Sequence, residues 1–312
     1  MRTRRFIAKA KDRGAAIMLA LWALFLLSAM IISWALDINT KLTNSGASNR
    51  SLEAIAMACS GAEVAMHPMV KTGLPVLRGS LGPNQSYEAR ITGEGGRLNL
   101  QKIAQAAMTD PNHPSRELLR KYLEVKGVDL NERDHMIDCL LDWVDVDNAV
   151  RLAGAEDEGN YKTANAPLKS LDEVKRIRGW EEFTARPDWD ADFTLHSQDA
   201  KIDINWASRD VLLALPGFTD PVADRFMSVR RGPDDIEGTE DDVKFTNPEE
   251  VRVALGFSPD QFRQLANLIS VNDPVMRIVS VGRSAGTTRT VRFVIFKQSA
   301  AIRLIPGTWK EY

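Results

Sequence analysis

The sequence predicts an α+β protein, in which a long N-terminal helix lies on a small antiparallel sheet and a large, mostly α-helical domain is inserted into that sheet. Three observations predict it. Ala15 to Leu36 form an unbroken apolar run without a charged residue. Segments rich in β-branched and aromatic residues lie near both ends, at 85–100 and from Val275 onward. Between them, from Gln101 to Ser270, capping residues, apolar spacings of three and four, and glycine stops mark a series of short helices.

The apolar run is the first element. Its roughly 22 residues span about 33 Å as a helix, enough for a bilayer core of about 30 Å. Only a helix satisfies its own backbone polar groups there. Arg2, Arg4, Arg5, Lys9, Lys11 and Arg13 precede it against the single acid Asp12. The positive-inside rule then keeps the N-terminus cytoplasmic and exports the rest. A cleaved secretory signal shares this layout, but no small-x-small site follows Leu36.

Leu52, Ile55, Cys59, Ala62 and Met66 continue as an apolar helical stripe, which Pro68 and Gly73 end. One helix from Ala15 to His67 would be about 80 Å long. Gly46 and Gly61 each weaken it by about 1 kcal/mol, and a bend is expected near Asn44–Gly46. Residues 85–100 read as a hairpin, with Tyr87, Ala89 and Ile91 alternating and Gly93, Gly95 and Gly96 as the turn. Three helical units follow. Ser170 to Gly179-Trp180, Ser208 to Gly217-Phe218 and Asn247 to Gly256-Phe257 each open on a capping residue and close on a glycine and an aromatic. Ser170 with Glu173 reads as a capping box. Strands return at Met276–Ser280, Thr288–Phe296 and Ala301–Ile305. Strands on both sides of a helical block imply that the block is inserted into one sheet.

The chain has 312 residues, 44% hydrophobic and 26% charged, which is ordinary for a folded protein. Its formal net charge is -2, and without the basic first fourteen residues it falls to about -7, a poor match to a polyanion. Cys59 and Cys139 are candidates for a disulfide in an exported domain, although two distant cysteines define no framework. Two acidic clusters, Asp142 to Asp147 and Glu156 to Glu158, flank a short loop containing Gly154. They either converge on a hard cation such as Ca²⁺, which takes six to eight oxygens, or form a solvated acidic loop. The run from Asp234 through Glu237 to Asp241 and Asp242 is a candidate second cation site, or a charged surface loop. His135 and Cys139 are four apart, but two ligands do not make a zinc site and a helix face is the better reading. His67, His113 and His196 are scattered. No Ser/His/Asp order, phosphate-cradling loop or redox cysteine pair is present, and the chain does not read as an enzyme.

Ile204-Asn205-Trp206-Ala207-Ser208 leading to Leu215-Pro216-Gly217-Phe218 resembles a helix-hairpin-helix, which often binds nucleic-acid phosphates through backbone N–H groups. A membrane-anchored exported helix-hairpin-helix receptor for DNA uptake is therefore the alternative reading. Asp220 and Asp224 oppose it, standing where a DNA binder would carry Lys or Arg.

Lys11-Asp12-Arg13-Gly14 followed by Ala15-Ala16-Ile17-Met18-Leu19 resembles the leader junction of type IV pilins and type II secretion pseudopilins. The resemblance implies cleavage between Gly14 and Ala15 by a prepilin peptidase, with methylation, and retention of the apolar helix as anchor and stalk. Those families usually carry Glu at the fifth mature position, here Leu19; the K-type minor pseudopilin lacks it. Gly96-Arg97-Leu98-Asn99-Leu100, the Asn-x-Ala-Ser of Asn205–Ser208 and the Trp309–Tyr312 ending are similar to K-type sequences as well. The resemblance implies a leader at 1–14, a transmembrane helix at 15–36, stalk and first strands of a pilin-like domain at 37–100, the inserted helical domain at 101–270 and the closing strands at 271–312. It implies a structural Ca²⁺ held by Asp145, Asp147, Glu156, Asp157 and the Ala155 carbonyl. It further implies a single-pass inner-membrane protein with its bulk in the periplasm. Its implied partners are I-type and J-type minor pseudopilins and the major pseudopilin, with no nucleic acid, and its implied role is to cap the pseudopilus tip and start its assembly in support of export across the outer membrane.

Overall fold

In the computed structural model, residues 7–298 and 301–312 are described, with side chains from Gly14 onward. Arg2, Arg4 and Arg5 of the expected leader lie outside the described residues. Helix α1 runs unbroken from Ile7 to Met66. It passes through Asn44–Gly46 without interruption, so the two expected weak points do not end it. Its 60 residues make a rod of about 90 Å. From Ile17 to Leu36 its large apolar side chains are exposed.

The C-terminal part of α1 turns Ala54, Ala58, Ala62 and Ala65 inward. They pack on Ile91, Ile278, Val291, Phe293 and Ile295 of the sheet. Small residues let the backbones approach. A Cβ on Gly282 would lie 2.0 Å from the Ala54 carbonyl oxygen, and one on Gly61 would lie 2.5 Å from the Ser280 hydroxyl. Gly61 is therefore a contact residue, where periodicity alone shows only a helix-weakening one.

The chain then forms β1 (Arg78–Gly82) and β2 (Gln85–Gly93). This hairpin corrects the one expected at 85–100. Its turn lies at Pro83-Asn84, and Gly93 to Gly96 serve instead as a single 3₁₀ turn leaving the sheet. Glycine is required there by Trp206, whose ring and backbone would be struck by a Cβ on Gly93 or Gly96.

The inserted part begins with β3 (Leu98–Asn99), α2 (Leu100–Thr109), α3 (Pro114–Val125) and α4 (Leu130–Val144). Asn99 caps α2 by accepting from the Lys102 N–H and donates to Ser197. A 3₁₀ stretch at 171–176, α5 (Glu181–Thr184) and β4 (Phe193–Thr194) follow. Ser170 makes no side-chain cap, so the expected capping box is absent and the first unit opens as a 3₁₀ turn. Tyr122, Trp180, Phe183 and Phe193 form its aromatic centre, and the Trp180 Nε1 donates to the Met136 carbonyl at 2.8 Å.

Next come β5 (Ile202–Asp203), α6 (Arg209–Ala214), α7 (Asp220–Arg230), α8 (Pro248–Leu255), α9 (Pro259–Ala266) and β6 (Ile269–Ser270). Ser208 and Asn247 cap α6 and α8 as expected, and Gly256 takes the left-handed conformation after α8. The Asn205 side chain donates to the Phe245 and Val271 carbonyls and accepts from the Phe245 N–H. Buried Arg230 donates to the Ile204 and Ala207 carbonyls.

The chain re-enters the sheet as β7 (Val275–Ser284) and β8 (Thr287–Gln298), joined by Ala285-Gly286 with positive φ at both, a type I′ hairpin geometry. Short strands β9 (Ala301–Leu304) and β10 (Lys310–Glu311) both pair with β8. The sheet order is β1-β2-β7-β8-β10. β2 and β7 are antiparallel neighbours from Gln85↔Ser284 to Gly93↔Met276, although the whole helical part lies between them in sequence. The architecture is the expected α+β insertion fold.

Candidate functional site

Helix α4 carries Asp138 and Asp142 four residues apart on one face, and Asp145 follows as the residue that ends it. Asp138 accepts from Arg116 at 2.6 Å and from the Ala153 N–H at 3.2 Å, which anchors the loop after the helix. The loop folds back through a turn in which the Gly154 N–H donates to the Arg151 carbonyl. Gly154 must be glycine: a Cβ there would lie 1.9 Å from the Asp142 Oδ2. The fold-back brings Glu156 to Asp142 and Asp145, with ligand atoms of all three within 4.8 Å of one another.

All three carboxylates are buried. Arg151 donates through one guanidinium nitrogen to Asp142 and Asp145. Glu156 accepts from the Thr163 hydroxyl at 2.8 Å. Burial raises the Asp142 carboxyl above its usual value despite the Arg151 bonds, and burial with the nearby Asp142 and Asp145 charges raises Glu156. Two oxygens remain enclosed without a partner, Asp145 Oδ1 and Glu156 Oε1. Three carboxylates against one guanidinium, with orphaned oxygens, suit a hard divalent cation. Asp142, Asp145 and Glu156 are the residues that would hold it.

Of the residues expected to hold Ca²⁺, the structure brings two into this group. Asp145 and Glu156 come together, and Ala155 lies between Gly154 and Glu156 with its side chain in the core. Asp147 and Asp157 lie outside the group, for a physical reason. Both are exposed, and both are spent locally: Asp147 accepts from the Ala149 N–H at 2.8 Å, Asp157 from Lys162 at 2.8 Å and from the Thr163 N–H at 2.9 Å. Asp142 was missed. Its signal was its place in the last turn of the helix, three residues before Asp145.

The second acidic run does not gather. Asp234 accepts from the Ile236 N–H, Glu237 pairs with Arg230 at 3.0 Å, Asp241 accepts from Thr239 and the Asp234 N–H, and Asp242 accepts from the Gly238 N–H. Each carboxylate serves its own turn or an ion pair. The candidate disulfide is also not formed: Cys59 lies half-buried on α1 beside the sheet, Cys139 is buried on α4 in the other core, and both are free thiols. The His135 Nδ1 lies 2.6 Å from the Ala153 carbonyl, so the imidazole helps to hold the loop. At the turn between α6 and α7, Arg209 is bonded to Asp220 and Asp224, leaving its charge neutralised where a phosphate would need it.

A second feature is the seam between the sheet and the insertion. Enclosed Glu94 accepts from Arg277 of β7 at 2.6 and 2.8 Å, from Thr194 at 2.6 Å and from Arg97 at 3.2 Å. Burial alone would raise this carboxyl, but Arg277 and Arg97 outweigh it and hold it below its usual value. The network locks the inserted part to the strand that follows it.

No curated protein matches the chain. Residues 96–186 match the family model of type II secretion system protein K, first domain. Among solved structures, a chain of the GspK–GspI–GspJ complex from the enterotoxigenic Escherichia coli type 2 secretion system shares the fold, with a TM-score of 0.53 and 14% identity over 88% of this chain and 98% of that one. Over residues 96–186 the chain is thus similar to type II secretion system protein K, and over most of its length it shares the fold of a chain of that complex.

Proposed function

We propose that this chain is a minor pseudopilin that sits at the tip of the type II secretion pseudopilus, starts its assembly and so supports export across the outer membrane. One observation carries the tip position: the whole helical part is inserted between the hydrogen-bonded neighbours β2 and β7. That head widens the subunit beside a single stalk helix, and it is too broad to repeat at every level of a filament. A single copy at the end relieves the crowding.

α1 supplies the anchor and the packing surface. Its apolar N-terminal run spans an inner membrane, with the N-terminus cytoplasmic and the head periplasmic. A prepilin peptidase cuts between Gly14 and Ala15, and Leu19 in place of an acid suits a subunit with no further terminal amine to neutralise beyond it. I-type and J-type minor pseudopilins are its stalk partners, by analogy with the GspK–GspI–GspJ complex, and the major pseudopilin follows below. Ca²⁺ at Asp142, Asp145 and Glu156 supplies two positive charges to three enclosed carboxylates and fastens the loop after α4.

The tip position is tested by gold-labelling the chain on assembled pseudopili. Labels are expected at one end only; labels along the length would overturn the proposal. Mass spectrometry of the chain purified from membranes should find a mature N-terminus at Ala15, and an uncut chain or a cut beyond Leu36 would remove the pseudopilin processing. Adding Ca²⁺ to the full chain in detergent should raise its melting temperature, and no shift would sink the metal.

A further inference from the structure

Arg151 is the protein's own cation in the Asp142–Asp145–Glu156 cluster. Its guanidinium donates to Asp142 Oδ1 and Asp145 Oδ2, and its backbone N–H donates to Asp142 Oδ2 at 3.3 Å. A guanidinium only donates, so every carboxylate lone pair that it takes is withheld from a metal. The cluster is nevertheless unfinished. Asp145 Oδ1 and Glu156 Oε1 are unpartnered, on side chains of residues that are each only 7% exposed. Three negative charges face one positive charge.

The position of Arg151 in the chain gives it a way out. It belongs to the irregular segment 146–152, whose Val146, Val150 and Leu152 are exposed. Its own side chain is 29% exposed, while Asp142 on the helix is fully enclosed. Asp142 is held by the helix and all three carboxylates are buried, whereas the guanidinium is the partly exposed member.

Building on the calcium reading, we propose that Arg151 is a tethered competitor for the cation: it closes the cluster when no cation is bound and is displaced from Asp142 and Asp145 when one enters. A hard cation needs six to eight oxygens, and the carboxylates that Arg151 holds belong to the same group as the unpartnered pair, with ligand atoms within 4.8 Å of one another. The guanidinium leaves the cluster, while the Arg151 N–H stays on Asp142 and the Ala153 N–H on Asp138, so the loop remains tied to α4. The opposite role, in which Arg151 holds the carboxylates in place for the metal, predicts the opposite effect of removing it.

The test is a calorimetric titration of the full chain in detergent micelles with calcium chloride, comparing wild type, Arg151→Gln and Arg151→Lys. Loss of a charge-assisted bond that competes with binding should tighten the dissociation constant of Arg151→Gln about tenfold. Arg151→Lys keeps the charge without the planar fork and should tighten it less. Both variants should melt lower than wild type without calcium. Equal or weaker calcium affinity in Arg151→Gln overturns the competitor role. Should Arg151→Gln fail to fold, Arg151→Lys decides by the same criterion. Binding in wild type with unchanged affinity in the variants removes only the competitor; no binding by any of the three chains removes the calcium reading and the competitor with it.

Discussion

Asp203 and Glu94 are enclosed acids near the seam between sheet and insertion, and they titrate in opposite senses. Asp203 accepts from the N–H groups of Asn205 at 3.1 Å and Asp273 at 3.0 Å. Burial, with the charge of Asp273 adding to it, still raises its carboxyl to about 6. A raised carboxyl binds its proton more tightly in the folded chain. Its contribution to stability is fully present below the unfolded value and is lost as pH rises through about 6. This group alone should lower stability by up to about 3 kcal/mol between pH 4 and pH 7. Glu94 is held low, so its contribution is present above its unfolded value and is lost on acidification. Urea unfolding across pH 4 to 7 separates the two: Asp203→Asn should flatten the loss on raising pH, and an unchanged slope would rule Asp203 out as its source. Gly154 is the matching steric case. Gly154→Ala places a methyl group against Asp142 and should abolish the calcium-induced rise in melting temperature; a full rise in the variant would show that the loop can give way.

At the scale of elements, α1 carries two glycines with different meanings. Both replacements by Ala gain about 1 kcal/mol of helix propensity. Gly46 faces open space apart from the Arg50 side chain at 3.6 Å, so Gly46→Ala should raise the melting temperature or leave it unchanged. At Gly61 the new methyl would meet Ser280 at 2.5 Å and Tyr87 at 2.7 Å. Overpacking of that kind typically costs about 1–3 kcal/mol, so Gly61→Ala should melt lower. Thermal melts of the two variants side by side check this, and a stabilised Gly61→Ala would mean that the helix does not press on the sheet there. The two positions are indistinguishable in the sequence, since each is a helical glycine among small and polar neighbours. The capping of α6 by Ser208 and of α8 by Asn247 was legible, because a cap is a contact within three residues. The first unit failed the same reading, and the chain there forms a 3₁₀ turn with no Ser170 cap.

At the scale of the molecule, the described residues form two hydrophobic cores, one between α1 and the sheet and one inside the insertion. Each holds one cysteine, which is why no disulfide joins them. Burial raises both thiols, Cys139 to about 12. Native protein treated with a maleimide should label at Cys59 faster than at Cys139, with both labelled after unfolding; a native chain with no reactive thiol would indicate a bridge. The charge-free run, the insertion and the strand-rich ends were determined by the sequence alone, because hydropathy, periodicity and β-branching act over neighbouring residues. The composition of the acidic centre was not. Asp147 and Asp157 have the right chemistry but turn to the nearest N–H or lysine, whereas Asp142 is enclosed only because Gly154 allows the loop to cross it. The partners of Asn205 lie 40 and 66 residues away, and those of Glu94 reach across 183. Local chemistry chooses helix, strand or turn, but which polar groups share an enclosed space depends on how distant segments pack, and only the tertiary structure decided that.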